Sequence, residues 1–219
     1  MGVSAVLETI GLVAFALVGV FVAIEYELDI FGIFVASFCA ALGGGIIRDI
    51  VLGVTPPTNF LNVWYIVTVL ITVVVSLVVF KILDKRLSHT AIKRLKRTVD
   101  FFDAIGLGLF AINGCQAAIS LGWGSNFILM VFVGTVTGVG GGVMRDLLCG
   151  RKPIIMRKEI YALAAVVGCT LFFFIHDKMN YAAATYISAA LIAIIRILAS
   201  LRRINISYKI NNQDLKIDE

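Results

Sequence analysis

Residues 43–53 read "GGGIIRDIVLG" and residues 140–150 read "GGGVMRDLLCG". The two stretches agree at three consecutive glycines, at the arginine and aspartate that follow, and at the closing glycine. Gly43 stands 97 residues before Gly140, and the same interval joins Arg48 to Arg145, Asp49 to Asp146, Gly53 to Gly150 and Pro56 to Pro153. Upstream the interval is 95: Glu8 matches Asp103, Gly11 matches Gly106, Phe15 matches Phe110, Gly19 matches Gly114 and Ala23 matches Ala118. The chain is an internal duplication with a two-residue slip in one loop.

Composition identifies the solvent. The 219-residue chain is 60% hydrophobic and 15% charged, with a mean hydropathy of +0.98, well beyond the apolar share of a water-soluble domain. Apolar runs of about 20 residues, enough to cross a hydrocarbon core about 30 Å thick at 1.5 Å per residue, fall near 5–24, 30–53, 61–83, 100–121, 126–150, 158–175 and 181–201. The first run has no basic leader, holds Glu8 and meets no small-residue cleavage site before "EYELD" at 25–29, so it reads as a retained span rather than a signal peptide. The sequence predicts an all-α polytopic membrane protein with seven transmembrane helices.

Each copy holds three spans, and an odd number makes the second copy enter the membrane from the opposite face. The expected organisation is a first three-helix repeat over 1–83, a basic cytoplasmic linker over 84–99 and a second, inverted three-helix repeat over 100–178. A seventh helix over 179–203 and a polar cytoplasmic tail over 204–219 complete it.

Loop charge sets the orientation. Lys81, Lys85, Arg86, Lys93, Arg94, Lys96 and Arg97, then Arg151, Lys152, Arg157 and Lys158, then Arg202, Arg203, Lys209 and Lys216 fall on one side, against little beyond Lys178 on the other. The positive-inside rule then places the N-terminus outside and the C-terminus in the cytoplasm, with the plasma membrane as location. The net charge of +5 is mostly this loop charge. The stretch "KRLSHTAIKRLKR" at 85–97 lacks interleaved aromatics, which argues against nucleic acid as a partner and for anionic lipid headgroups.

The glycine triplets admit two readings. Three residues without Cβ, about 100° apart on a helix, leave much of the circumference bare and let carbonyls tilt toward an ion or water. Interruptions at matching positions of inverted repeats line translocation paths near the bilayer midplane. On this reading Gly43, Gly44, Gly45, Gly140, Gly141 and Gly142 kink helices two and five beside a cavity. The other reading is close helix packing, since "GTVTGVGGG" spaces Gly134, Gly138 and Gly142 four apart, the small-xxx-small pattern of packed membrane helices. The spacing fits neither a dinucleotide loop nor a P-loop.

Charges inside spans are costly and are paired or turned to water. Arg48 and Asp49 point about 100° apart on a continuing helix, which predicts that each finds another partner; the motif recurs as Arg145 and Asp146. Glu8 and Arg48 lie at similar depth near the outer face, and inversion brings Asp103 level with Arg145 near the cytoplasmic face, so the expected ion pairs are Glu8 with Arg48 and Asp103 with Arg145. The alternative is that the arginines snorkel to headgroups. Asn113, Gln116, Thr135 and Thr137 are polar groups within spans that either hydrate a path or bond their own and neighbouring helices.

The remaining reactive residues carry no chemistry by spacing. Cys39, Cys115, Cys149 and Cys169 are scattered within spans without metal-ligand or disulfide-framework spacing and read as small apolar packing residues. His89 and His176 have no Cys or acidic neighbour at ligand spacing. Trp64 and Trp123 sit near span ends, as in an interfacial aromatic belt. The tail at 205–219 is polar, and its "NIS" sequon falls on the cytoplasmic side. There is no nucleophile and base set, no HExxH and no GxSxG, so neither an enzyme nor a metal or other cofactor is expected.

Tandem "GGG-x-x-R-D" motifs in the second and fifth of seven helices, each followed by a glycine and a proline, resemble the trimeric intracellular cation channel family in its prokaryotic branch, whose bacterial members also carry a glycine-transporter label. The resemblance spans residues 5 to 201. It implies a homotrimer with a pore in each subunit, running between the repeats and bent at the glycines of helices two and five, and it implies potassium and sodium as permeant ions. The basic phosphoinositide-binding pattern of animal members is not evident beside Gly140 to Gly142, so lipid gating is not carried over, although bound lipid remains compatible. Inverted repeats serve carriers as well as channels, and Glu8, Asp49, Asp103 and Asp146 offer a proton relay. A proton- or ion-coupled transporter of a small solute such as an amino acid is therefore the alternative.

Overall fold

The structure is a computed structural model that describes residues 3–83, 89–157 and 160–202. Among these residues the regular structure is entirely helical: α1 (Val3–Glu25), α2 (Ile30–Val51), α3 (Thr58–Leu61), α4 (Val63–Leu83), α5 (His89–Ser120), α6 (Phe127–Leu148), α7 (Ile154–Arg157), α8 (Ile160–Ile175) and α9 (Tyr181–Arg202). Six of them, α1, α2, α4, α5, α6 and α9, are long and apolar enough to cross a membrane. The chain is a multi-pass membrane protein. The segment expected as the sixth span forms α8, an apolar helix of 16 residues. Much of the stretch expected as a linker is helical, because "HTAIKRLKR" holds neither Gly nor Pro to stop a helix; residues 84–88 lie outside the described part.

The duplication is legible at the level of caps. α2 is capped by Asp29, which accepts from the Gly32 amide at 2.6 Å, and α6 by Asn126, which accepts from the Leu129 amide at 3.0 Å; both satisfy amides left free in a first helical turn. At the other ends Gly53 (φ +73°) and Gly150 (φ +66°) take the left-handed conformation. There Val54 N donates to Asp49 O at 2.8 Å and Arg151 N to Asp146 O at 3.0 Å, the backbone closure that a glycine just past a helix end permits. The fourth glycine of each motif is a helix stop.

α1 and α5 interlock reciprocally. A Cβ on Gly11 would stand 2.6 Å from the Phe110 ring, one on Gly106 would stand 2.8 Å from the Phe15 ring, and the two rings lie 5.2 Å apart. Each phenylalanine fills the notch left by the other copy's glycine. The first copy packs around Leu12, Phe15, Val18, Val69 and Val73, the second around Leu107, Ile112, Ala164, Phe172 and Ile192. α9 lies on α5 and α8, seated where Gly108 meets the Ala189 carbonyl and Gly168 meets Ile192. Trp64 and Trp123 are exposed near helix ends.

Candidate functional site

The glycine triplets do not interrupt their helices. α2 and α6 run as α-helix through them, and all six glycines are buried, which corrects the expectation of broken segments. Their place is the crossing of the two helices. A Cβ on Gly44 would stand 2.1 Å from the Thr137 carbonyl oxygen, and one on Gly141 would stand 2.1 Å from the Ala40 carbonyl oxygen. Ala40 and Thr137 are themselves 97 residues apart, so the contact is made once by each copy. Small residues four apart let two backbones touch where larger ones would hold them apart. The third glycine makes room for other groups: Gly45 faces the Asn59 side chain, whose Nδ2 donates to Leu42 O at 2.8 Å, while a Cβ on Gly142 would stand 3.4 Å from the Tyr161 hydroxyl.

The charged residues sit in the last turn of each crossing helix. Asp49 divides its carboxylate. Its Oδ1 accepts from Arg48 Nε at 2.7 Å, and its Oδ2 accepts from Thr58 N at 2.7 Å and Thr58 Oγ1 at 2.6 Å. The carboxylate thus ties the end of α2 to the start of α3, where free amides favour an anion. Arg48 also donates Nη2 to Thr58 Oγ1 at 3.0 Å and Nη1 to Asn113 Oδ1 of α5. That last bond joins the two copies. Arg48 and Asp49 therefore do satisfy each other, because the long arginine stem curls across the step between neighbouring positions.

The second copy repeats the theme with different partners. Arg145 Nε donates to Asp146 Oδ1 at 2.8 Å, and Asp146 Oδ2 accepts from Ile154 N at 2.9 Å at the start of α7. Arg145 Nη1 lies 3.4 Å from Asp103 Oδ1, and Arg151 Nη2 lies 2.8 Å from Asp146 Oδ1. Arg196 of α9 is buried over the Tyr161 ring at 4.9 Å. A cavity of about 210 Å³ opens beside Arg145, lined by Val18, Glu25, Asp100, Asp103 and Arg151 among others. In the alignment of the copies Val18 takes the place of Asn113, so the amide that covers Arg48 has no counterpart at Arg145. Arg48 and Arg145 are turned inward, 5% and 0% exposed, rather than snorkelling.

Known proteins share this fold. A family model described as "Glycine transporter" matches residues 5–81 and again residues 100–177. The UPF0126 membrane protein of Deinococcus radiodurans is 37% identical over 164 residues, covering 74% of this chain and 71% of that protein. YvgT of Bacillus subtilis, another UPF0126 membrane protein, is 36% identical over 162 residues, covering 74% and 75%. A structure solved to explain conductance through TRIC cation channels matches with a TM-score of 0.81 at 36% identity over 95% of this chain and 98% of that one. The TRIC trimeric intracellular cation channel orthologue from Rhodobacter sphaeroides matches at 0.79 and 30% identity over 93% and 100%. This chain belongs to the bacterial branch of the TRIC family.

Within this TRIC protein the structure distributes the candidate residues unevenly. Asp103 is brought to Arg145. Glu8 is not brought into a pair with Arg48: its Oε2 accepts from Tyr65 OH at 2.5 Å, and the nearer Asp49 takes the guanidinium. Of the uncharged polar group only Asn113 reaches a charged cluster. Gln116 Nε2 donates to Thr185 Oγ1 of α9 at 2.8 Å, Thr137 Oγ1 returns to its own helix at Val133 O at 2.6 Å, and Thr135 Oγ1 is buried without a hydrogen bond. Among the described residues no cluster of three or more His, Cys, Asp or Glu is placed to hold a metal. All four cysteines are free; just past α6, burial pushes the Cys149 thiol above its ordinary value.

Thr58, Asn59, Tyr65, Tyr161 and Arg196 escaped the sequence reading, which counted Arg151 only as loop charge. Two signals were available. Tyr65 and Tyr161 recur 96 residues apart, and Arg196 is an ionisable residue in an apolar run, which marks function or pairing. Thr58 and Asn59 carried no signal, because their roles depend on how α3 folds back on α2.

Proposed function

We propose that this TRIC protein is a channel for monovalent cations, potassium and sodium, with a path through each protomer between the two repeats. Seven spans, an outside N-terminus, a cytoplasmic C-terminus in the plasma membrane and assembly into a homotrimer complete the reading; lipids and further copies of the chain are its partners, and it needs no cofactor. The observation that carries it is the duplicated crossing of α2 and α6, with a buried arginine and aspartate cluster beyond the glycines of each helix. Backbone carbonyls packed against glycine offer cation-favouring oxygens at mid-depth, while fixed arginines argue against a narrow dehydrating filter, so selectivity among monovalent cations is modest. The Arg48–Asn113 bond closes the outer end and parts for ions to pass; the mixed-sign cavity beside Arg145 is the inner entrance.

Recording purified protein in planar bilayers under a potassium gradient tests this reading. Discrete unitary currents reversing near the cation potential are expected. The cavity carries both signs, which also suits a small zwitterion, and the matching family model is described as a glycine transporter. Silent bilayers together with saturable, proton-driven amino acid uptake into vesicles would establish the carrier instead.

A further inference from the structure

Cys115 on α5 and Cys169 on α8 converge on Gly134 of α6. A Cβ on Gly134 would stand 2.5 Å from Cys115 Sγ and 2.7 Å from Cys169 Sγ, so the sulfurs are no further apart than those two distances laid end to end. Both residues are completely buried. Each makes a long contact to a backbone carbonyl, Cys115 Sγ to Met130 O at 3.6 Å and Cys169 Sγ to Ala111 O at 3.8 Å. Packing does not require thiols here, because Val20, 95 residues before Cys115, and Val73, 96 residues before Cys169 at the interval that also joins Tyr65 to Tyr161, are buried in the first copy, and Ser37 stands 97 residues before Gly134. The second copy holds two thiols where the first holds two valines, and a glycine where the first holds a serine.

We propose that Cys115 and Cys169 are a redox site that closes to a disulfide under a small hydroperoxide. The Ala111 carbonyl oxygen lies 2.8 Å from the same Cβ position on Gly134, so the notch is already filled; a disulfide adds no atom to it, whereas a thiolate-bound metal ion needs a volume of its own. Apolar burial makes the thiols slow toward bulky or charged reagents, which leaves small uncharged hydrogen peroxide as the fitting oxidant. One cysteine loses its proton and its sulfur attacks a peroxide oxygen; the O–O bond breaks, water leaves and a sulfenic acid remains. The second thiol attacks that sulfur, the S–S bond forms, the S–O bond breaks and a second water leaves. Two thiols and one peroxide become one disulfide and two waters. The bond links α5 to α8 over α6, some two turns before the glycine crossing, and so fixes the second copy's packing. This assignment is independent of whether the protein is a channel or a carrier.

The test uses the full chain in lipid nanodiscs, treated with hydrogen peroxide, then denatured and alkylated with iodoacetamide for mass analysis. Wild type is expected to lose two alkylations and to yield a peptide pair joining Cys115 to Cys169, lighter by two hydrogens than the separate thiol peptides and reversed by a reductant. Cys115→Val and Cys169→Val, which copy the first half's own packing, are expected to elute as folded protein and to lose the cross-link. Four alkylatable thiols after treatment, a link through Cys39 or Cys149, or a lone sulfinic acid at Cys115 or Cys169 would each overturn the proposal.

Discussion

Asp49 and Asp146 occupy the same place in two copies of one motif, yet they hold different amounts of charge. Asp49 serves one guanidinium and the start of α3, and Arg48 spends its remaining donors on neutral oxygens of Thr58 and Asn113. Asp146 serves Arg145, Arg151 and the start of α7, and Arg145 has Asp103 as a second carboxylate. The first site is sealed by an amide from the other copy; the second lies against a cavity lined by Val18. The two copies share the helix ends and differ at single positions, Asn113 against Val18, in what covers the arginine.

The sharpest test of the shared part is the crossing itself. Gly44→Ala and Gly141→Ala each place a methyl group on a backbone carbonyl. Backbone cannot rotate away, so the helices must separate, at a cost at the upper end of about 1–3 kcal/mol, read as loss of monodisperse protein and a lower melting temperature in detergent. Gly142→Ala is the control: its Cβ would meet the Tyr161 hydroxyl at 3.4 Å, ordinary contact, and the change is expected to stay within about 1 kcal/mol. Equal tolerance at Gly44 and Gly142 would dissolve the packing account of the triplets.

The aspartates come next. Removing one partner of a buried ion pair costs about 3–5 kcal/mol because the other charge is left in low dielectric. Asp49→Asn is expected to reach the upper end, since Asp49 is the carboxylate bonded to Arg48 and Glu8 is engaged by Tyr65. Asp146→Asn is expected to be milder, as Arg145 retains Asp103. Adding Asp103→Asn to Asp146→Asn should then erase the difference. Chemical unfolding of the three variants in detergent decides the order, and a larger loss at Asp146 alone would mean that Asp103 does not support Arg145.

Much of this was legible in the sequence, and the failures have a common cause. Span length and composition expose the helices directly, and repeated spacing exposes the second copy; both are properties of one segment read alone. Close helix packing was one of two readings the sequence offered for the triplets, but the partner was not legible, because Gly44 is explained by the Thr137 carbonyl and Gly141 by the Ala40 carbonyl, contacts made across two helices. Glu8 was assigned to Arg48 by depth, a coordinate that leaves azimuth free. Tyr65 intervenes at that depth, and the side chain of Asp49 reaches where its Cα direction does not point.

The smallest effect probes what differs between the copies. Asn113→Val removes the bond that joins α5 to Arg48, and Val18→Asn places an amide at the equivalent point beside Arg145. Hydrogen bonds between membrane helices are worth about 0.6 kcal/mol on average and about 1.7 at most, so neither change should prevent folding. The same energies shift a two-state equilibrium by about three- to twenty-fold. If the Arg48–Asn113 bond closes the outer end, Asn113→Val raises the open-to-closed ratio in bilayer recordings by that amount, whereas Val18→Asn fills the inner cavity and lowers unitary current. The paired variant, Val18→Asn with Asn113→Val, exchanges the plugged and open ends and should pair a raised open probability with a reduced current. An open probability unchanged by Asn113→Val would remove the outer closure from the mechanism while leaving the inner cavity as the entrance still to be tested by Val18→Asn.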